Sequence, residues 1–328
     1  MKWGNIMQRA LPFDFTLSFC REMIPGKGED SSCHSFCDDA GLIGVFDGCG
    51  GAGARTHDFY SGNTEAYMAS RICAGAFYDQ FRSTFPCDLP AERAVQELFA
   101  PAALERLKTY SPPKDPDAFV MKGSMVRTLP TTAAAALIQS VNGGVAVSPI
   151  WAGDSRVYVL DSLGLAQLTV DDTSVPDPME NVYEDGVLRN VLCSDRDVTL
   201  HSFTRVLQPP FVVLAATDGC FGYVSTPMEF EGMLLETLQR AETPAQWEQY
   251  LEEAIGSVAG DDHAMVLVAF GYGSFAALQK SLYQRWQWLR ENYILPVQSL
   301  PLEDRQSRFA LWESYRGDYF RMLKDGAR

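Results

Sequence analysis

Four short acidic phrases lie at wide intervals along the chain, each set against an apolar run: Val45-Phe46-Asp47-Gly48, Trp151-Ala152-Gly153-Asp154, Ala215-Ala216-Thr217-Asp218-Gly219 and Gly260-Asp261-Asp262-His263. A carboxylate at the end of a buried strand is expensive to desolvate unless something cationic neutralises it. One such aspartate is explained by a salt bridge. Four of them, two followed by a glycine that lets the backbone approach closely, point to a shared, oxygen-lined metal site. Hard oxygen donors, with no His or Cys at matching positions, favour Mg²⁺ or Mn²⁺ over zinc. Two such ions about 3.5–4 Å apart, bridged by one aspartate, bind phosphoryl oxygens and activate a water together, which is chemistry for phosphate-ester hydrolysis.

The bulk of the chain fits a soluble globular protein. Its 328 residues allow one large domain or two ordinary ones, and 46% hydrophobic with 21% charged residues describe a globular protein. A formal charge of −15 argues against nucleic-acid backbones, which need a basic face. The eight cysteines are irregularly spaced and no secretory signal precedes them, so free thiols in a reducing cytosol are expected. Cys33-His34-x-x-Cys37 supplies half a zinc site, and no second CxxC or HxxxH completes it. No run approaches the roughly 18 apolar residues that cross a membrane.

Elements that position the acids follow from periodicity. Leu42–Phe46 reads as a strand that stops at the glycine-rich loop Asp47–Gly53. Helical periodicity runs from about Thr64 to Phe85 and from Pro90 to Tyr110, and Ser111–Lys122 reads as a surface loop. Thr131–Ser140, Gly144–Ala152, Arg156–Asp161 and Ala166–Thr169 are short strands whose close spacing predicts hairpins, hence antiparallel sheet. Asp38-Asp39-Ala40-Gly41 is most simply a hairpin turn. Asp171–Thr204 reads as a long surface excursion of the kind that often carries function. Phe211–Thr217 is a strand, Thr226–Ala241 and Pro244–Val258 are helices, and Met265–Phe270 is a last buried strand. The order predicts an α+β fold of antiparallel sheets covered by helices over residues 1–270.

Residues 271–328 differ. Phe275, Leu278, Leu282, Trp286, Leu289 and Tyr293 recur at helical intervals with Ser274 as a cap, and after Pro296–Pro301 a second stripe runs through Phe309, Trp312, Tyr315, Tyr319 and Leu323. This tail carries nine Lys/Arg against six Asp/Glu, a surplus of +3 that leaves −18 on residues 1–270. It reads as a helical extension packed on the domain, or alternatively as an appendage for a protein partner or a dimer.

The residues themselves resemble a known family. Gly44-Val45-Phe46-Asp47-Gly48-Cys49-Gly50-Gly51 is similar to the DGHGG/DGMGG motif of the metal-dependent protein phosphatases (PPM, or type 2C), in a bacterial-like form. Thr131-Thr132-Ala133 resembles their GTTA strand, Gly153-Asp154-Ser155-Arg156 their GDSR turn, Thr217-Asp218-Gly219 their SDG motif, and Asp261-Asp262-His263-Ala264 their DNxT or DDxT/S motif. The motifs keep family order over about residues 20–270.

The resemblance implies an αββα sandwich with two Mn²⁺ or Mg²⁺ ions, and a weaker third, in a cleft at its end. Asp47 would bridge the two metals, the Gly48 carbonyl would bind one, and Asp218 and Asp261 would complete the other. Glu29-Asp30, seventeen residues before Asp47, match the family's acidic pair. Glu29 would reach a metal through water, Asp30 would orient the attacking water, and Asp154 matches the third-metal position. The catalytic assignments thus fall on Asp30 and Asp47. The implied reaction is attack of metal-activated water on phosphoserine or phosphothreonine of a phosphoprotein, without a phosphoenzyme. Asp154 also fits a plain turn residue, Asp262 a cap or solvated group, and His57 and His263 packing or surface roles.

Three departures bear on activity. Cys49 stands where the family has His or Met, so protonation of the leaving group must come from water or elsewhere. Pro25 stands where the family's phosphate-gripping arginine would lie, and Lys27 or Arg55 are the candidates to replace it. The 171–204 segment, where the family carries a variable flap, matches nothing in detail. The leading reading is a cytoplasmic serine/threonine protein phosphatase. The alternative is a catalytically weak relative acting as a regulatory or binding module, and a third is a hydrolase of small phosphate esters.

Overall fold

Strands buried on both faces read as unbroken apolar runs, because alternate side chains enter two different cores. The central strands behave this way. The computed structural model describes residues 10–323 apart from 86, 88, 114–125, 185 and 302. Residues 114–122 of the expected surface loop and 324–328 of the tail therefore lie outside the described residues.

The chain opens with β1 (Phe13–Arg21), β2 (Ser31–Phe36) and β3 (Ala40–Phe46), followed by helix α1 (Glu65–Thr84). Next, α2 (Ala91–Ala94) runs through a π turn into α3 (Ala100–Thr109). Strands β4 (Ala133–Val141), β5 (Gly144–Ala152), β6 (Arg156–Asp161) and β7 (Gly164–Gln167) precede a short helix α4 (Pro178–Asn181). Strands β8 (His201–Ser202), β9 (Arg205–Leu207) and β10 (Phe211–Ala216) lead to α5 (Pro227–Arg240), α6 (Pro244–Gly256) and β11 (His263–Phe270). The tail forms α7 (Phe275–Leu289), α8 (Leu295–Ser299) and α9 (Arg305–Tyr319).

Two antiparallel sheets result, one ordered β1-β11-β10-β6-β7 and the other β2-β3-β4-β5-β8, with β9 also on β5. Ile43, Val45, Ala134, Ala136, Val213, Ala215, Val266 and Val268 fill the space between the sheets. Leu42 and Phe46 turn to the opposite face, where they meet Phe77 of α1 and Phe99. Leu214 and Leu267 turn outward to α5, α6, α7 and α9. The layers are αββα.

Helix starts sit where capping residues place them. Thr64, Thr243 and Ser274 each accept a backbone N–H from the first turn of α1, α6 and α7. Thr226 and Glu229 form a reciprocal capping box on α5.

Several expectations need correction. Gly153–Ser155 is not a hairpin turn: β5 belongs to one sheet and β6 to the other, so the turn crosses the sandwich. Gly153 adopts φ +97°, where a side chain is strained. Strand β1 was missed, although Phe13, Phe15, Leu17 and Phe19 alternate with polar residues, the period of a half-buried strand. The 171–204 excursion is not wholly superficial, since Met179, Leu192, Cys193, Leu200 and Phe203 are buried. The first tail helix does not end before Pro296, because a π turn carries it into α8.

The tail's stripes face inward. Leu278, Leu282, Leu289, Tyr293, Trp312, Tyr315 and Tyr319 belong to the same buried cluster as Leu214 and Leu267. Tyr283, Trp288 and Leu295 are exposed on the outer side. No helix among the described residues is long and apolar enough to cross a membrane.

Candidate metal centre

The topology gathers the acids at one end of the sandwich. Strands β2 and β3 are antiparallel, so Asp30, just before β2, lies beside Asp47, just after β3. Strands β10 and β11 are antiparallel too, which sets Asp218 beside the start of β11. The crossing turn after β5 brings Asp154 to the same end. Asp47, Asp154 and Asp218 each offer a carboxylate oxygen, and these oxygens lie within 4.8 Å of one another.

Threonines hold the turns. The Thr131 hydroxyl and the Thr132 N–H both donate to the Asp47 carbonyl, at 2.7 and 2.8 Å. The Asp47 N–H donates to Thr132 Oγ1 at 3.2 Å, and Thr132 Oγ1 lies 2.7 Å from Ser155 Oγ, which ties the Asp47 turn to the Asp154 turn. Thr217 Oγ1 donates to Asp30 Oδ2 at 2.7 Å and accepts the Ala264 N–H at 2.8 Å. The residues of the GTTA-like, GDSR-like and SDG-like phrases therefore act as fasteners between carboxylate-bearing turns. Gly48 is needed where it stands, because a Cβ there would overlap the Ala66 carbonyl of α1.

Crowded carboxylates resist ionisation. Burial, then Asp261, raises Asp218 from 3.8 to about 6. Burial, then Asp218, Asp30 and Asp154, pushes Asp47 well above the carboxylate range, and burial with Asp218 does the same to Asp154. Asp30, 4% exposed, is displaced upward by burial, against which the Thr217 hydroxyl works. Glu29 is raised by burial, and Thr64 donates to its Oε1. Burial and the neighbouring Asp47, Asp154 and Asp218 hold the Cys49 thiol protonated.

Other expected site residues lie around this cluster. Asp261 is exposed and outside the 4.8 Å group, yet its charge reaches Asp218, Asp47 and Asp30. Asp262 is a fastener, accepting the Met23 and Glu29 N–H groups at 2.7 Å each. Lys27 and Arg55 are both exposed, as is Pro25. His263 is buried with Nδ1 3.3 Å from the Asp261 carbonyl, and His57 Nε2 lies 2.8 Å from Glu65 Oε1.

Behind the cluster lies a network that the sequence reading missed. Arg156 is buried and forks onto Asp171, with Nη2 to Oδ2 at 2.6 Å and Nε to Oδ1 at 3.0 Å. Its Nη1 also donates to the Tyr158 and Tyr319 hydroxyls at 3.3 and 3.4 Å, and its guanidinium lies 4.1 Å from the Phe221 ring centre. Arg156 follows Asp154 by two residues and Phe221 follows Asp218 by three, so one guanidinium braces both turns. Its only sequence signal was its place in the GDSR-like phrase.

No family model and no curated protein matches the sequence. Solved structures do. The chain is similar to the Mycobacterium tuberculosis serine/threonine phosphatase PstP/Ppp, with TM-score 0.55 and 18% identity over 78% of this chain and 98% of that one. It is similar to the serine/threonine phosphatase Stp1 from Staphylococcus aureus, with TM-score 0.59 and 19% identity over 82% and 100%. The PPM Ser-Thr phosphatase MsPP from Mycobacterium smegmatis, in complex with cacodylate, aligns with TM-score 0.53 and 13% identity over 79% and 99%. At these identities the likeness establishes the fold: the sandwich is that of the PPM-type phosphatases.

Proposed function

We propose that this chain is a PPM-family phosphoprotein phosphatase that hydrolyses phosphoserine and phosphothreonine esters at a binuclear Mn²⁺ or Mg²⁺ centre. The observation that carries this reading is the convergence of Asp47, Asp154 and Asp218 within 4.8 Å on that fold. The donor set fits a hard divalent cation, being all oxygen. Arg156, whose charge reaches Asp154 and Asp218, is bound in a fork to Asp171, so among the described residues no cation forms an ion pair with the three clustered carboxylates.

In this reading Asp47, Asp218, Asp261 and the Gly48 carbonyl would hold the two ions, Asp154 would hold a third, and Glu29 would act through water. Bound divalent ions supply positive charge that polarises phosphoryl oxygens and makes water a better nucleophile. Asp30, held at Oδ2 by the Thr217 hydroxyl, would orient that water. Cys49, kept neutral, is no competing nucleophile. Lys27 and Arg55 remain the candidates to grip the phosphate.

The test is Mn²⁺-dependent hydrolysis of p-nitrophenyl phosphate and of a phosphothreonine peptide, wild type against Asp47→Ala. Metal-dependent turnover lost in the variant supports the reading, and no such turnover sinks it. Relative rates on the two substrates separate a protein phosphatase from a hydrolase of small esters. A second reading, a catalytically weak binding module, is favoured by Pro25 in place of the family arginine. It predicts Mn²⁺ binding by calorimetry without turnover.

A further inference from the structure

A cavity of about 470 Å³ lies between α9 and the segment 167–177, in the size range of small-molecule sites. Val170, Pro176, Phe320 and Leu323 give it apolar walls, and Gly317 of α9 stands beside them. A Cβ at Gly317 would meet nothing within 4 Å, so no packing contact calls for a glycine there. Glycine weakens a helix relative to alanine, and its effect at this point is to leave the cavity open.

One polar group in the lining has no partner. Gln167 is buried, and its Nε2 donates to Asp171 Oδ1 at 3.2 Å, which orients the amide and leaves Oε1 as its acceptor. That oxygen is buried and accepts no hydrogen bond, a costly state that a ligand donor would relieve. The charges are already paired. Of the described residues that line the cavity, only Asp177 and Arg316 are charged, with Oδ2 and Nη2 3.4 Å apart. Asp177 Oδ1 also accepts the Met179 N–H at 2.9 Å, and Arg316 Nη1 donates to Glu313 at 2.6 Å. An ion would find little unpaired charge here to answer it.

We propose that the cavity binds a small uncharged molecule with an apolar body and one hydrogen-bond donor, and that its occupancy is felt at the Asp154 turn. The donor meets Gln167 Oε1 while the body rests on Val170 and Phe320. Gln167 Nε2 and Arg156 Nε donate to the same oxygen, Asp171 Oδ1, and Arg156 follows Asp154 by two residues. A hydrogen bond to the amide oxygen strengthens the amide N–H as a donor, so the ligand tightens the Asp171 end of that brace. It also holds α9 against segment 167–177, and Tyr319 of α9 accepts from Arg156 at 3.4 Å. The inference goes beyond the proposed reaction and needs neither metal nor substrate.

The probes are 2-naphthol, which carries an O–H donor, and 2-methoxynaphthalene, which keeps the body and lacks the donor. Calorimetry on the full-length protein in EDTA should show one saturable site that binds 2-naphthol about tenfold more tightly. Gln167→Met should erase that difference. Gly317→Leu should fill the cavity and remove both binding events, with a melting temperature equal to or above that of wild type. Amide hydrogen exchange should slow on adding 2-naphthol across residues 167–173, residues 315–323 and the turn 153–156. No saturable binding, equal binding of the two probes by wild type, or full binding by Gly317→Leu overturns the site, and a difference that survives Gln167→Met overturns the role of its amide. Unchanged exchange at 153–156 overturns the link to the acids. None of these readouts uses Mn²⁺ or phosphate-ester hydrolysis, so failure here is distinct from failure of the phosphatase reading.

Discussion

Stripped of divalent ions, the protein should lose stability as pH rises from about 4 to above 6, opposite to the behaviour of a salt-bridged carboxylate. Asp218 carries the calculation: burial and the charge of Asp261 raise it from 3.8 to about 6. Between those values the folded chain keeps a proton that the unfolded chain has released. With more protons bound in the native state, the unfolding free energy falls as pH rises. The contribution is fully present below pH 3.8 and is lost as pH passes through about 6. At about 1.4 kcal/mol per pH unit, Asp218 alone accounts for about 3 kcal/mol. Asp47 and Asp154 are displaced in the same direction and for the same cause. Divalent ions should reverse the loss, since a ligand at a hundred times its Kd stabilises by roughly 2.7 kcal/mol.

The assay is urea unfolding in EDTA, followed by tryptophan fluorescence, at pH 4.5 and pH 7 for wild type and Asp218→Asn. Acids elsewhere have their own pH dependence, so the difference between the two proteins is the measured quantity. The variant should gain on wild type by up to about 2 kcal/mol across that interval, because pH 4.5 already lies above the unfolded value, and Mn²⁺ at pH 7 should raise wild type and leave the variant less affected. Parallel pH profiles for the two proteins would refute the reasoning, because Asp218 would then titrate in the native state as it does in the unfolded chain.

Other perturbations have outcomes set by single contacts. Asp262→Ala removes the acceptor of two backbone N–H groups, at Met23 and Glu29, and should lower stability by about 1–3 kcal/mol while raising the Mn²⁺ needed for half-maximal thermal stabilisation. Arg285→Met leaves Glu231 buried beside Tyr315 without its cation and should cost about 3–5 kcal/mol by denaturant titration; the double variant Arg285→Met/Glu231→Met should recover much of it. Tyr319→Phe removes the hydroxyl that meets Arg156 and Tyr158, and should cost roughly 1 kcal/mol and shift the Mn²⁺ dependence of the melting temperature upward.

What was legible in the chain was whatever local pattern determines. Strands β3, β10 and β11 stood out because both faces are buried and their side chains form continuous apolar runs. Ser274 announced a helix start by capping chemistry that operates within one turn. Gly153–Ser155 was misread because a three-residue turn has the same sequence signature whether it closes a hairpin or crosses between sheets. Only the pairing partners of β5 and β6 distinguish the two. The Arg156–Asp171 fork was invisible for a related reason: its members stand fifteen residues apart, and no periodicity pairs them. The acidic phrases told where carboxylates end strands, whereas Asp261's exposure and Asp262's grip on Met23 and Glu29 depend on how the 22–29 loop folds over them.

The tail shows how a sequence boundary can fail to be a boundary in the folded chain. The charge changes sign near residue 270, yet α7 and α9 enter the cluster that covers the outer face of the β10–β11 sheet. Arg285 of α7 and Tyr315 of α9 both bind Glu231, so two tail helices converge on one buried acid of α5. Arg321 donates to Asp161 Oδ1 and the Gly164 carbonyl, closing the tail over the β6–β7 hairpin, where the four-residue edge strand β7 would otherwise offer unpaired backbone. Tyr319 then reaches Arg156, whose guanidinium stands behind Asp154 and Asp218. A substitution or ligand that shifted α9 would therefore act first on the brace of the carboxylates rather than on the carboxylates themselves. The physical consequence is that the tail and the carboxylate-bearing turns share one packed network, and the geometry of the acids depends on helices that contribute no acid to them.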